Sequence, residues 1–163
     1  MTNLNIRPAA AADAAEIWSI LEPVIGAGET YALRRDMPQA DALAYWTGPD
    51  RETFVAETGG AILGTYYLRA NQQGGGAHVA NCGYITAPQA AGRGIARAMA
   101  EHSLAHARSR GFTAMQFNFV VSTNMRAIRL WEDLGFKTLC RLPEAFDHPK
   151  LGHVDALVMF QKL

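Results

Sequence analysis

The stretch "TAPQAAGRGIARAM", Thr86–Met99, holds the most informative pattern in this sequence. A proline is followed by Gly92 and Gly94, which flank Arg93, and then by an alanine-rich segment with helical spacing of its apolar residues. A helix N-terminus exposes unpaired amide N–H groups and the positive end of the helix dipole. Glycines beside it tolerate positive φ and let a bulky anion approach the backbone. The stretch therefore predicts either a phosphate-binding turn or an ordinary turn before a helix, with Arg93 in solvent.

The spacing of these glycines excludes two common phosphate motifs. The chain has no GxxxxGK[ST] segment, so it contains no P-loop. A dinucleotide fingerprint needs glycine or alanine three residues after its second glycine, and Arg97 stands at that position. An anion at this turn is therefore expected to belong to another kind of ligand.

On both sides of the turn the sequence predicts a mixture of strands and helices. The predicted strands cover 4–9, 53–57, 61–70, 77–86, 113–121, 136–142 and 153–163. The predicted helices cover 14–24, 39–47, 95–109 and 124–134. We expect Asp13 to cap the first helix and the segment 142–155 to form a loop before the last strand. Because strands and helices alternate only in the second half, the order predicts a mixed sheet in an α/β or α+β domain.

Composition narrows the class of protein further. The chain has 163 residues, of which 49% are hydrophobic, and we expect one globular domain over 1–163. Lys plus Arg and Asp plus Glu both number 15, so we expect neither nucleic acid nor an anionic membrane as a partner. The first residues lack the pattern of a secretion signal. Cys82 and Cys140 are far apart and form no CxxC motif, so a reduced, cytoplasmic protein is expected.

Two segments of the chain resemble the GCN5-related N-acetyltransferase (GNAT) family. In that family a strand ends near a proline and is followed by [R/Q]-G-x-G-x-[G/A] and a helix, as in "APQAAGRGIA" here. Ala91 stands where Arg or Gln is usual, and a register that starts at Gln89 is the alternative. Downstream, "STNMRAIRLWEDLGF" resembles N-x-x-A-x-x-L-Y-x-x-x-G-F, with Trp131 at the tyrosine position. The predicted strand order agrees, so the resemblance covers nearly the whole chain.

The resemblance implies a fold and a cosubstrate. The fold is a single GNAT-like domain whose mixed, mostly antiparallel sheet has about seven strands, with about four helices, and whose strands four and five are splayed to hold acetyl-CoA. It implies that the pyrophosphate lies on the amides of 91–96 and that the pantetheine arm pairs with Ile85 and Thr86 like an added strand. A backbone N–H near Tyr84 or Ile85 would polarise the thioester carbonyl. The implied cofactor-binding residues are Ile85, Thr86, Ala91, Gly92, Arg93, Gly94, Ile95, Ala96, Asn124 and Trp131.

The resemblance also assigns the loop between the first two helices to the wall of the acceptor site. Glu29 in that loop is expected either to bind an ammonium group or act as a base through water, or to be an ordinary solvated carboxylate. Tyr31 lies in the same loop, and Phe146 is expected to overhang the acceptor pocket from the segment before the last strand. The predicted catalytic residues are Glu29, which acts through its carboxylate, and Tyr84 and Ile85, which act through their backbone N–H groups.

Two asparagines carry open alternatives. Strict alternation places Asn118 on the face opposite Phe117, Phe119 and Val121, where its amide either bonds core groups or faces the substrate cleft. The stretch "FNFVVSTN" also resembles acetyltransferases that act on proline analogues and other small amino acids, which favours substrate binding. Asn124 is expected to cap a helix, to contact the cofactor, or both.

These observations lead to one functional hypothesis and two rivals. The leading hypothesis is an acetyl-CoA-dependent N-acetyltransferase whose small, amino-acid-like amine attacks the thioester directly. The rivals are a non-catalytic acyl-CoA sensor, which Trp131 favours, and an enzyme that acetylates protein amines. His102 and His106 are four residues apart but have no acidic third ligand beside them, so we assign no metal. A homodimer stays an open alternative.

Overall fold

The computed structural model describes residues 3–163, so residues 1 and 2 of the predicted domain lie outside the described part of the chain. Within residues 3–163 the chain forms seven strands and four helices in the predicted order. The strands are β1 (Asn5–Pro8), β2 (Arg51–Thr58), β3 (Ala61–Ala70), β4 (Val79–Thr86), β5 (Ala114–Val121), β6 (Lys137–His148) and β7 (Gly152–Lys162). The helices are α1 (Ala14–Ala27), α2 (Gln39–Trp46), α3 (Ile95–Ser109) and α4 (Met125–Asp133). None of the helices described has both the length and the apolar character needed to cross a membrane.

All seven strands belong to one sheet with the order β1-β2-β3-β4-β5-β7-β6. Neighbouring strands run antiparallel except β4 and β5, which run parallel. The structure thus confirms the predicted mixed, mostly antiparallel sheet. Because parallel neighbours need a long connection, the chain crosses from β4 to β5 through α3.

The parallel strands β4 and β5 separate soon after they begin. Their pairing is confined to Val79 with Ala114 and Ala80 with Met115, whereas β4 pairs with β3 along its length. Residues 81–86 of β4 therefore have no strand beside them on the β5 side within the described chain. The predicted splay of strands four and five is confirmed.

The helices cover both faces of the sheet. On β3, Thr65 accepts a hydrogen bond from the Trp46 indole of α2 at 3.0 Å, and the next residue, Tyr66, bonds His102 of α3 at 2.7 Å. Successive strand residues point to opposite faces, so α2 and α3 lie on opposite sides of the sheet. Helix α1 packs against α2 on the first face. Two buried layers result, and both extend to the gap beside β4.

The last hairpin differs from its prediction. We predicted a loop over 142–155, but β6 continues through Lys137–His148. Pro143 is tolerated inside the strand because β6 is the edge of the sheet and a register shift interrupts the ladder there. At this bulge Glu144 has a φ of 50°, and its N–H donates to Asp155 at 2.9 Å.

Asp13 does not cap α1 as predicted. It lies in a short 3-10 turn before the helix, where its carboxylate accepts from the Ala10 N–H at 2.7 Å and pairs with Arg7 at 2.8 Å. Since an arginine within hydrogen-bond distance provides a stronger partner than a neutral amide, the tertiary contact wins over the local cap.

The predicted alternation of β5 is also wrong beyond Phe117. Phe117 pairs with Met159, but Val120 pairs with Leu157, so β5 contains an extra residue at a bulge. Val120, not Phe119, therefore shares the face of Phe117. The bulge lies beside the gap between β4 and β5.

Candidate active site

The separation of β4 and β5 opens a cavity of about 610 Å³ near the middle of the sheet. Its walls come from the α1–α2 loop, β3, β4, the turn before α3, β5 and α4. Arg93 is exposed and does not border the cavity. All other predicted cofactor-binding residues line it, namely Ile85, Thr86, Ala91, Gly92, Gly94, Ile95, Ala96, Asn124 and Trp131.

The turn before α3 presents unpaired amides to this cavity. Gly92 and Gly94 have φ values of 80° and 79°, which side-chain-bearing residues rarely adopt. The N–H groups of both glycines, and those of Ile95 and Ala96, donate to no acceptor among residues 3–163. Four backbone donors at the positive end of a 15-residue helix are groups of the kind that bind anions.

The charged residues that line the cavity are all arginines. They are Arg69, Arg97 and Arg126, and no Asp or Glu within the described chain borders the space. Arg126 stands beside the turn, where its Nη2 lies 3.3 Å from the position that a Cβ on Gly92 would take. Arg97, in the first turn of α3, also pairs with Asp133 at 2.9 Å. The cavity therefore favours an anionic ligand.

The two backbone amides predicted to polarise a thioester face opposite sides of β4. The N–H of Ala87 donates to the carbonyl of Leu63, next to β3. Because amides alternate along an antiparallel strand, the Ile85 amide also faces β3 and is used in that ladder. The Tyr84 amide faces the gap, where it donates to the Tyr31 hydroxyl at 2.8 Å. A ligand in the gap thus meets Tyr84, not Ile85.

Tyr31 makes two hydrogen bonds to the same residue. Its hydroxyl accepts from the Tyr84 N–H and donates to the Tyr84 carbonyl at 2.9 Å. Burial raises the pKa of the Tyr31 phenol well above its usual value, so the hydroxyl stays protonated and keeps its donor. Tyr31 thereby takes the place that a neighbouring strand would occupy on this edge of β4.

Trp131 of α4 closes the opposite wall. Its ring is 8% exposed and lies 5.0 Å from the ring of Tyr84 and 4.8 Å from that of Phe117. The Tyr84 hydroxyl bonds Ser103 at 2.7 Å on the α3 face, and burial raises the pKa of this phenol well above its usual value. Neither side chain therefore offers an acid that ionises near neutral pH.

The predicted acceptor residues are only partly brought together. Tyr31 lines the cavity, but Glu29 does not, and its carboxylate pairs with Lys150 from the β6–β7 turn. The hydrogen bond from Lys150 lowers the pKa of Glu29. Phe146 is buried 6.2 Å from Phe119, ring centre to ring centre, and lies outside the lining.

Both predicted asparagines line the cavity. Asn118 is exposed there; its Nδ2 donates to Asn71 at 2.7 Å and its Oδ1 accepts from Gln116 at 2.9 Å. Asn124 caps α4 by accepting from the Ala127 N–H at 3.4 Å, as predicted. The cap and a contact with a ligand are compatible, because Asn124 also borders the space.

The histidine pair is held by protein partners. Besides the bond of His102 to Tyr66, His106 Nε2 lies 2.7 Å from a carboxylate oxygen of Glu52. Burial lowers the pKa of His102, which favours its neutral form. Among residues 3–163 no group of three His, Cys, Asp or Glu side chains is arranged to hold a metal ion.

The residues of the cavity wall that sequence reasoning missed include Tyr45, Tyr67, Arg69 and Asn81. Three of them lie on β3 and β4, and one on α2. The signal that points to them is alternation on β3, where Tyr67 and Arg69 share the face of Thr65, next to α2. Arginine is seldom buried without a partner, so Arg69 at the end of the otherwise buried strand β3 indicates a specific role.

Comparison with known proteins identifies the family of the chain. The model of the acetyltransferase (GNAT) family matches residues 14–136. The chain belongs to this family. A GCN5-related N-acetyltransferase from Kribbella flavida has 39% identity to this GNAT chain and a TM-score of 0.94, over 98% of each chain.

Two further relatives extend the comparison. The N-acetyltransferase aca1 of Schizosaccharomyces pombe is 36% identical over 54% of this GNAT chain and 42% of its own length. The chain thus spans less than half the length of the curated relatives it matches. A GNAT superfamily phosphinothricin acetyltransferase from Sinorhizobium meliloti, in complex with AcCoA, shares the fold with a TM-score of 0.86 and 23% identity, over 100% of this chain and 89% of its own.

Proposed function

We propose that this protein is an acetyl-CoA-dependent N-acetyltransferase that acts on the amine of a small, amino-acid-like molecule. One observation carries the proposal: a single cavity contains unpaired helix-end amides at the turn and a backbone N–H, that of Tyr84, on the unpaired edge of β4. The first group suits a diphosphate and the second suits a carbonyl oxygen that gains negative charge. The AcCoA complex of the Sinorhizobium meliloti relative supports the same cosubstrate.

The residues around the cavity fit acetyl-CoA along its length. The pyrophosphate would accept from the amides of Gly92, Gly94, Ile95 and Ala96, with Arg126 as its charged neighbour. The amides of Ala91 and Arg93, which the resemblance also implied, donate instead to the carbonyls of Pro88 and Ala90. The pantetheine arm would pair with the backbone of Tyr84 and Thr86, which alternation directs into the gap. Trp131 would pack near the thiol end.

In the proposed reaction the neutral amine attacks the thioester carbonyl and forms the C–N bond. The Tyr84 N–H stabilises the charge that develops on the oxygen, and the C–S bond breaks to release CoA thiolate. The Tyr84 N–H donates to the Tyr31 hydroxyl in the structure, so the thioester oxygen has to displace that hydroxyl before it accepts from Tyr84. The indole of Trp131 does not ionise, so the thiolate takes its proton from water.

The amine proton is lost to water in this proposal. No carboxylate of residues 3–163 lines the cavity, and the lowered pKa of Glu29 makes it a weak base. The expected base role of Glu29 is therefore not retained. A homodimer stays an open alternative from the sequence. A domain over 1–163 and a cytoplasmic location stay expectations from the sequence.

Release of CoA thiol tests the function. The protein is mixed with acetyl-CoA and a panel of amino acids, amino-acid amides, polyamines and a lysine-containing peptide, and thiol is followed with time. Turnover with a small amine supports the proposal. Acetyl-CoA binding without turnover on any amine would favour the acyl-CoA sensor, and turnover with the peptide alone would favour an enzyme for protein amines.

A further inference from the structure

The arginines of the cavity lie at two separate ends. Arg97 and Arg126 border the turn where the cosubstrate phosphates are proposed to lie. Arg69 is at the far end, because it pairs across the strands with Asn81, five residues before Thr86. Five residues of strand correspond to about 17 Å. A charge this far from the turn is not needed for the phosphates.

Arg69 lacks the partners that a partly buried guanidinium needs. Its Nε is buried and has no hydrogen-bond acceptor within residues 3–163. Its Nη1 approaches Asp50 only at 3.5 Å, and that carboxylate also pairs with Arg51 at 3.1 Å. In the described ion pairs Arg51 and Arg69 share the single carboxylate of Asp50, so one positive charge beside the cavity is left without a negative partner.

The guanidinium of Arg51 does not line the cavity. Arg51 is held over the rings of Tyr45 and Tyr67, at 4.6 Å and 4.5 Å from their centres. This stack fixes Arg51 at the back of the aromatic wall and keeps Asp50 beside it. Arg69, whose side chain borders the cavity, is left as the group that meets an incoming ligand.

We infer that Arg69 binds a carboxylate of the acceptor, so that the acceptor is a small amino acid with a free acid group. The inference rests on the proposed acetyltransferase function. A guanidinium binds a carboxylate through two parallel hydrogen bonds, and such a carboxylate would supply the missing negative charge where Arg69 borders the cavity. A polyamine or a lysine side chain brings only positive charge to a cavity that three arginines and no acid surround.

The test compares amino acids with their carboxamides, which have no acid, and refers kcat/KM to the neutral-amine fraction of each acceptor because loss of the carboxylate lowers the pKa of the amine. With wild-type protein we expect kcat/KM for the amino acid to exceed that for its amide by about 10- to 100-fold, the usual worth of a charged hydrogen bond. Arg69→Gln should remove this preference by lowering kcat/KM for the amino acid much more than kcat/KM for its amide. Arg69→Lys should keep part of the preference, and Arg108→Gln, at an exposed position of α3 outside the cavity lining, is the matched control.

The outcomes separate this inference from the function it rests on. No thiol release with any amine would overturn the proposed function and the inference together. Turnover in which the wild type prefers amides or polyamines would overturn the inference alone. The inference alone would also be overturned if folded Arg69→Gln lost turnover of the amino acid and of its amide by equal factors. The wild-type comparison needs no variant, so it decides even if Arg69→Gln fails to fold.

Discussion

The hydroxyl of Tyr31 bonds both backbone groups of Tyr84, accepting from its N–H at 2.8 Å and donating to its carbonyl at 2.9 Å. The two residues are 53 positions apart in the chain. The contact covers the edge of β4 at the point where β5 has turned away. A ligand that pairs with β4 must therefore compete with a side chain of the protein itself.

Removal of this hydroxyl should strengthen cosubstrate binding. In Tyr31→Phe the Tyr84 N–H is free, so we expect the Kd for acetyl-CoA to fall by about fivefold, which corresponds to about 1 kcal/mol for one neutral hydrogen bond. Thermal stability should drop by a comparable free energy. Calorimetry and thermal melts measure both quantities.

Tyr45→Phe serves as the matched control for this variant. Tyr45 borders the same cavity, but its hydroxyl bonds only that of Tyr67, at 3.4 Å, and should leave acetyl-CoA affinity unchanged. Tenfold weaker binding by folded Tyr31→Phe would mean that the hydroxyl assists the cosubstrate instead of competing with it.

Trp131 should matter for packing and not for proton transfer. We expect Trp131→Phe to keep turnover within about tenfold, because general acid catalysis is worth about 100-fold or more and an indole cannot supply it. Trp131→Ala should cost about 3 kcal/mol or more, since the ring is 8% exposed and contacts Tyr84 and Phe117. A thousandfold loss of turnover in folded Trp131→Phe, with unchanged acetyl-CoA affinity, would assign the indole N–H a direct role.

The pH dependence of turnover should follow the acceptor and not a carboxylate of the protein. With its pKa lowered by Lys150, Glu29 is ionised throughout the neutral range. Any stability from this pair is complete above the usual carboxyl pKa and is lost as pH falls through the lowered value. We expect kcat/KM to rise with pH up to the pKa of the acceptor amine, with identical profiles for Glu29→Gln and the wild type.

Lys150→Met controls for the loss of the ion pair, since it breaks the same contact from the other side. If Glu29→Gln lowers kcat/KM by about 100-fold and Lys150→Met does not, Glu29 is the base after all and the path of the amine proton proposed here is incorrect.

The elements that can be predicted from the sequence are those whose ends are marked by particular residues. The predicted bounds of strand β3 and helix α3 match the observed ones, because glycines lie at or near their ends. The full length of β6 was missed because Pro143 normally interrupts a strand, whereas an edge strand with a bulge tolerates it. Edge position is a property of the sheet and not of the local sequence.

The site was predictable at the turn and much less so at the acceptor end. Gly92 and Gly94 act through their own backbone, so their role can be seen in the sequence. The alternatives for Glu29 stay open in the sequence because its partner, Lys150, is 121 positions later in the chain. Arg69 was overlooked because its incomplete pairing depends on a tertiary contact. Arg51 of β2 and Arg69 of β3 share the carboxylate of Asp50.

The most direct test of the account is the affinity of acetyl-CoA for a protein altered at Gly94. This residue has a φ of 79°, and nothing lies within 4 Å of an added Cβ, so Gly94→Ala and Gly94→Glu impose the same backbone strain. Only the glutamate adds negative charge beside the proposed pyrophosphate site. Calorimetry should show acetyl-CoA binding to Gly94→Ala and almost none to folded Gly94→Glu. Equal affinities of the two variants would contradict the central claim that the turn before α3 binds the cosubstrate.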